Sequence, residues 1–460
     1  MTVVAAPTRP AAPATRASVI RLTWLLARPS ASSTAALVLP AVAFAVTTAL
    51  LLTVIGGALV FWQWKTDLAG TYQMLSVLAL ALLVVPLVAL GGAAARLSAR
   101  RRDDRLATLR LLGATPGFVA RMTVFESTVI ATLGSLVGVL LYLAAMPLVG
   151  LIPFGGEAIG AGSLWVGVGL IAGVVASVAA LAALSAALGL RQVTISPLGV
   201  RTRQAAPRVH WLRLVLGVVA IAAAYMALTV YTAFDDFAVM IVIFGTAFAV
   251  GVGILNLIGP WAISVAARVS LRRATTATKL IAARGILESP KAAWRQVSGV
   301  AMTSFIAVVA GSGVALLDSF GDGGSSADEL NLIADVRTGI LITLACSFLM
   351  VACSVGVNQA AGILDRRDLY VSLDRLGMPA SVIEKSRART IMSPLRFVTI
   401  GSALVGGVLV LPMAGIAMIV APLSMLVIVG CLALGIGLVW LALLATRPVL
   451  VRVLAEPERV

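Results

Sequence analysis

Residues Arg100 to Ser127 read RRRDDRLATLRLLGATPGFVARMTVFES. Apolar runs flank this stretch on both sides, each long enough to cross a bilayer as a helix of about 20 residues. Arg100, Arg101, Arg102, Arg105, Arg110 and Arg121 crowd into it. Short loops rich in Lys and Arg stay on the cytoplasmic side, so the stretch is expected there. Leu106, Leu109 and Leu112 recur at helical spacing, with Arg101 and Arg105 around the other side. That pattern describes a short amphipathic helix lying at the membrane surface. Gly113 ends it, and Ala114-Thr115-Pro116-Gly117 turns the chain back towards the bilayer.

The rest of the chain agrees with a membrane setting. Of 460 residues, 60% are hydrophobic and only 12% charged. Soluble domains carry about 25% charged residues. Repeated apolar runs of membrane-spanning length give the fold class: all-α, a polytopic membrane protein of about ten transmembrane helices. The net charge of +16 lies in short loops between spans, so topology accounts for it better than nucleic-acid binding.

The spans are expected at 35–61, 74–95, 124–148, 164–190, 214–231, 237–265 (broken by Pro260), 297–317, 340–362, 395–419 and 423–444. Residues 1–17, rich in Ala, Pro and Thr, are expected to be disordered and show no cleavable signal pattern. Ser18–Ser33 and Ser270–Gln296 mix basic with apolar residues and are expected to lie along the inner interface as elbow helices. With a cytoplasmic amino terminus, the outer loops hold Asp67, Glu157, Asp235, Asp236, Asp318, Asp322, Asp328, Glu329 and Asp335 against Lys65 and Arg337. Nearly every other basic residue falls inside. This asymmetry places both termini in the cytoplasm and the chain in the plasma (inner) membrane.

A repeat organises the spans. RRDLYVSLDRLGMPASV, from Arg366, lies on RDDRLATLRLLGATPGF, from Arg102. Arg102 meets Arg366, Asp104 meets Asp368, Leu109 meets Leu373, and Leu112-Gly113 meets Leu376-Gly377. The Pro29 elbow answers the Pro290 elbow. The chain therefore divides into a tail (1–17), a first repeat of elbow and spans one to four (18–190), a linker with spans five and six (191–269), a second repeat of elbow and spans seven to ten (270–446), and a cytoplasmic tail (447–460). Each repeat has an even number of spans, so the copies are parallel.

The ordered pattern Arg-Arg, Leu-x-x-Leu-x-x-Leu-Gly-Ala-Thr resembles the signature of FtsX-like permeases. These are the membrane subunits of ABC transporters of the macrolide-exporter, lipoprotein-release and bacitracin-exporter class. The resemblance implies that Arg101, Arg102, Arg105, Leu106, Leu109, Leu112 and Gly113 form a coupling helix that docks on a cytosolic ABC ATPase. By the repeat, Arg366, Arg367, Tyr370, Leu373, Leu376 and Gly377 form a second. The second copy departs from the pattern: Leu369 replaces Arg105, Tyr370 replaces Leu106, and Met378-Pro379 replaces Ala-Thr. Two coupling loops imply one permease on an ATPase dimer, with ATP and Mg bound by that partner and no cofactor bound by this chain. Relatives of this layout carry a large outer domain between spans seven and eight. Here that loop is only Asp318 to Asp335, so substrate is expected to enter from the membrane.

The residues themselves favour an outside energy source. A P-loop needs a Gly-Lys-Ser/Thr segment to hold phosphate, and none of Lys65, Lys279, Lys291 and Lys385 follows Gly. The single histidine, His210, stands alone in a basic linker, and Cys346, Cys353 and Cys431 fall inside apolar runs as packing residues. No catalytic triad or usual zinc site can be assembled from them, so the chain is expected not to be an enzyme. Glu126 is the one carboxylate placed clearly inside a span. It either transmits ATPase motion, as a Glu here also resembles the family, or snorkels to the interface or pairs with a nearby Arg. Gly134-x-x-x-Gly138 and Gly169-x-x-x-Gly173 permit close helix packing. The acidic outer residues either attract cationic peptides or form a solvated loop.

The expected function is an ABC permease that exports, or extracts from the membrane, an amphipathic drug, antimicrobial peptide or lipid. Two other classes stand beside it. One is a signalling or scaffold protein that transmits ATPase motion, which needs outer surface. The other is an ion-coupled secondary transporter, which needs acids near the midplane.

Overall fold

A backbone inside lipid has no water to satisfy its N–H and C=O groups, so long apolar runs close their hydrogen bonds within helices. The computed structural model follows this rule. It describes residues 34–66, 68–100, 116–194, 226, 237–320, 327–411 and 422–455. In chain order the helices are α1 (Thr34–Val60), α2 (Ala69–Arg100), α3 (Pro116–Val149), α4 (Val168–Thr194), α5 (Phe237–Arg272), α6 (Ala277–Glu288), α7 (Pro290–Phe320), α8 (Ala327–Asp365), α9 (Arg367–Arg375), α10 (Ala380–Leu409), α11 (Pro422–Ala445) and α12 (Arg447–Ala455). The chain is an all-α polytopic membrane protein. Among the described residues, eight helical stretches are long and apolar enough to cross a bilayer, and α2 adds a shorter apolar section at Ala69–Val84. Of the span expected at 214–231 only residue 226 is described, and the Ser18–Ser33 elbow, Asp235 and Asp236 lie outside the described residues.

Several boundaries move outward from their expected places. Span nine is expected from 395, but α10 already starts at Ala380, so Arg387 and Arg389 also ride on the helix. Span seven is expected from 297, and α7 starts at Pro290. Hydropathy finds the part of a helix that sits in hydrocarbon; the helix itself continues into the polar zone. Nor does Pro260 break span six. Helix α5 passes through it from Phe237 to Arg272, and Ser264 Oγ donates to the Pro260 carbonyl at 2.7 Å. Prolines are tolerated in membrane helices because neighbouring groups satisfy the backbone they disturb.

Two apolar cores form side by side. One gathers Phe44, Leu52, Leu83, Tyr142 and Val178 from α1–α4, together with Met350 and Val357 of α8. The other gathers Ile263, Trp294, Phe305, Phe348, Leu395 and Val439 from α5, α7, α8, α10 and α11. Helix α1 packs along α3, and α7 packs along α10. Helices α2 and α8 lie against each other, α1 reaches α8, and α7 reaches α2. Apolar side chains on the outer faces of α3 (Leu133, Leu140) and α10 (Ile400, Leu404) are exposed, as lipid-facing surface should be.

The contact between α1 and α3 depends on two glycines. A Cβ added at Gly134 would stand 2.6 Å from the Ala41 carbonyl oxygen, and one at Gly138 2.5 Å from that of Ala45. These are backbone atoms, which cannot swing aside. The pattern at Gly169 and Gly173 behaves differently: nothing described lies within 4 Å of either position. The same four-residue spacing thus makes a helix contact on α3 and none on the described face of α4.

At the end of the bundle opposite α9, a small cap joins three elements. Pro153–Phe154 (β1) pairs antiparallel with Glu157–Ala158 (β2). Between them Gly155 and Gly156 take φ of 65° and 85°, the left-handed conformation that a two-residue hairpin turn requires. Asp335 of α8 is only 6% exposed, and one of its oxygens accepts from Tyr72 Oη at 2.6 Å and from the Gly155 N–H at 2.7 Å. Phe61, Trp64, Tyr72 and Phe154 form an aromatic cluster, mostly edge to face, with ring centroids 4.9–5.4 Å apart. Asp335 is therefore neither a solvated loop residue nor free to attract a cationic peptide; it fastens α2 and the hairpin to α8. Asp335→Ala should lower stability by about 2–3 kcal/mol, because it strands two donors, whereas Tyr72→Phe should cost about 1 kcal/mol. Thermal melting of the purified variants checks this order, and an Asp335→Ala protein that melts with the wild type would refute the fastening.

Candidate coupling site at the basic end of the bundle

The sequence RDLYVSLDR from Arg367 has Tyr370 and Leu373 three apart, and these are neighbours on one helical face. The structure forms α9 there and turns that face inward. Tyr370, Leu373 and Met378 pack on Ile363 of α8, Ile383 of α10, and Leu450 and Val453 of α12. The opposite face stays open: Leu369 is 51% and Leu376 83% exposed, and Arg366 and Arg375 are exposed with them. Leu369 and Leu376 are two turns apart and share a side of the segment. The helix is thus gripped on one side, and its free side mixes Leu369 and Leu376 with the charged Arg366, Asp368, Asp374 and Arg375.

Gly377 fixes where this helix stops. It takes φ of 85°, its N–H donates to the Asp374 carbonyl at 2.9 Å, and the Met378 N–H donates to the Leu373 carbonyl at 3.0 Å. This is a Schellman cap, and Met378 and Leu373 pack against the same buried cluster. The Leu-Gly step in the sequence thus has a conformational reason. A side chain at Gly377 would be strained in the left-handed region.

Two supports behind α9 were not visible as such in the sequence. The segment expected to be a basic tail forms α12 over Arg447–Ala455, with Leu450 and Val453 buried under α9. Its signal is an apolar spacing in RPVLVRVLA that is too short to stand out. Arg387 of α10 is only 8% exposed, and its Nη1 donates to Thr446 Oγ1 at 2.8 Å where α11 meets α12. Arg447 pairs with Glu384 at 3.1 Å, a mostly exposed bridge worth less than about 1 kcal/mol.

The elbow before α7 is also built. Helix α6 covers Ala277–Glu288 within the expected Ser270–Gln296 segment, and Thr276 Oγ1 caps it by accepting from the Lys279 N–H at 3.4 Å. It buries Ala282, Ala283 and Ile286 and exposes Leu280 and Arg284. Gln359 Nε2 donates to Gln296 Oε1 at 3.2 Å, joining α8 to α7 above the elbow.

The first coupling segment, with Arg101, Arg102, Arg105, Leu106, Leu109, Leu112 and Gly113, lies outside the described residues. So does its elbow. Glu126 is half-buried on α3 and is not a free carboxylate. Among the described residues no group of three or more His, Cys, Asp or Glu could hold a metal ion. Cys346 and Cys353 pack against the α1–α4 core, and Cys431 against Ile306 and Leu344.

Residues 77–197 match the family model of the FtsX-like permease C-terminal domain. The matched section runs from within α2, through the first coupling segment, to the end of α4. The match supports a membrane permease subunit of the FtsX/ABC-transporter family, whose members generally are not enzymes and normally pair with an ABC ATPase. No curated protein matches the chain.

Proposed function

We propose that this chain is the membrane subunit of an ABC exporter that works with a separate dimer of cytosolic ATPases. The observation that carries the reading is α9. It stands at the Arg-Leu-Gly repeat of the segment inside the family match, it is held from behind by α8, α10 and α12, and it exposes Leu369 and Leu376. Two such segments, one per half, fit two ATPase copies. The crossed packing of α2 on α8, with α1 on α3 and α7 on α10, supports two parallel four-helix repeats joined by two linking spans. Positive charge at the α9 end supports a cytoplasmic position for that end and for both termini.

In this mechanism ATP closes the ATPase dimer, both coupling segments move, and the two halves rock against each other. The short connections at the opposite end leave little outer surface for a receptor. Substrate therefore passes between spans from the bilayer, which favours an amphipathic drug, peptide or lipid and outward movement.

The test is purification of the tagged chain in mild detergent from its native host, followed by native mass spectrometry. An ABC ATPase at two copies per permease is the expected result. A chain that comes alone, and that the host's cytosolic ATPases cannot bind on re-addition, would overturn the reading and favour secondary transport.

A further inference from the structure

Between the elbow α6, the start of α7, the end of α8, the coupling helix α9 and α10 lies a cavity of about 310 Å³. Arg295, Arg366 and Arg387 line it, and no described carboxylate does. Arg387 is the unusual member. It is more than nine-tenths buried, yet its Nε has no hydrogen-bond partner among the described residues, although its Nη1 is satisfied by Thr446. Glu384 pairs with Arg447 and also stands within electrostatic reach of Arg387, but it makes no hydrogen bond to that Nε. A buried guanidinium donor without an acceptor is costly, and it calls for an anion or another acceptor. Neutral donors and acceptors complete the wall at Asn358, Ser386 and Thr390.

The place of the cavity says what kind of anion fits. Arg295 is five residues into α7 and Arg387 seven into α10, so both sit within about two turns of the helix ends at the basic side. The amphipathic elbow α6, with Leu280 and Arg284 exposed, lies beside them as interfacial helices do. Basic cavities between membrane helices at this depth suit acidic lipid headgroups. Apolar residues on the same wall, Ile281 and Met378, offer a surface for the glycerol and the first acyl carbons.

We propose that this cavity is a binding site for the phosphate headgroup of an acidic phospholipid, held by Arg387 from within and by Arg295 and Arg366 at the rim. The inference rests on the membrane setting of the chain, not on ATPase coupling. It is therefore tested on the permease alone.

The purified full chain, delipidated in mild detergent, is titrated with phosphatidylglycerol and separately with phosphatidylcholine. Bound lipid is counted by native mass spectrometry. One tight phosphatidylglycerol per chain is expected, with phosphatidylcholine at least tenfold weaker. Arg295→Gln, at an exposed position, and Arg387→Gln should each weaken phosphatidylglycerol about tenfold or more. Arg387→Lys should retain part of the affinity, because it keeps the charge and loses the fork of donors. The Arg295→Gln variant keeps the test decisive should Arg387→Gln fail to fold. Equal affinity for both lipids would overturn the proposal, as would phosphatidylglycerol binding unchanged in Arg295→Gln and Arg387→Lys. Displacement of the lipid by millimolar inorganic phosphate, with phosphate alone bound as tightly, would overturn it in favour of a soluble anion.

Discussion

Replacing Gly138 with leucine should leave little correctly assembled protein. A Cβ there would stand 2.5 Å from the Ala45 carbonyl oxygen and 2.7 Å from Thr48 Cβ, and leucine adds three more carbons in the same direction. Backbone oxygen cannot retreat without moving all of α1. The whole α1–α3 seam would open, together with the core around Phe44, Ala131 and Tyr142. Overpacking of a tight core costs about 1–3 kcal/mol where side chains can yield, and more where the obstacle is backbone. Gly134, at 2.6 Å from the Ala41 oxygen, should respond in the same way. The matched control is Gly173→Leu on α4, where nothing described lies within 4 Å and little change is expected. Yield and monodispersity on size exclusion, followed by thermal melting, read the difference. If Gly138→Leu and Gly173→Leu behaved alike, the α1–α3 packing would be wrong.

The second large effect concerns coupling rather than folding. Glutamate at Arg101, Arg102 and Arg105 together should abolish ATPase docking on the first half and uncouple hydrolysis from transport, while the spans remain folded. On the second half the matching change is Leu376→Glu, at a side chain 83% exposed. Among the described residues nothing buries that side chain, so its replacement should cost within about 0.5 kcal/mol of stability. Its loss should be felt only by a partner: exposed apolar side chains that a partner buries contribute about 1.5–3 kcal/mol each. Native mass spectrometry would then show the ATPase falling from two copies to one for either set, and to none for both. Tyr370→Ala is different in kind, because Tyr370 packs on Ile363 and Ile383, and it should lower the melting temperature as well as the docking. Two ATPase copies retained by the combined variant would end the coupling-segment reading of α9.

The opposite ends of the molecule show why some of this was legible in the sequence and some was not. The membrane class and the approximate places of the long helices follow from hydropathy, because lipid forces helices. Helix α9 was legible for a local reason: Tyr370 and Leu373 share a face, and Leu376-Gly377 is a stop that one residue in the left-handed region encodes. The role of Gly134 and Gly138 was half legible, since their spacing is identical to that of Gly169 and Gly173 and only the neighbouring helix separates them. Asp335 was misleading for the same reason. As one of several outer acids it was expected to attract cationic peptides or to stay solvated, and its partners Tyr72 and Gly155 are far away in the chain.

Sequence by itself thus determined the solvent each segment meets and the local caps and turns, which depend on a few consecutive residues. Tertiary structure decided the contacts between segments distant in sequence. These include the seam of α1 on α3, the fastening of α2 and the hairpin to α8 through Asp335, and the gathering of Arg295, Arg366 and Arg387 around one cavity. The physical reason is that in lipid the hydrophobic effect no longer selects which helix faces which. Close packing and buried hydrogen bonds make that choice, and both depend on atoms brought together from separate parts of the chain.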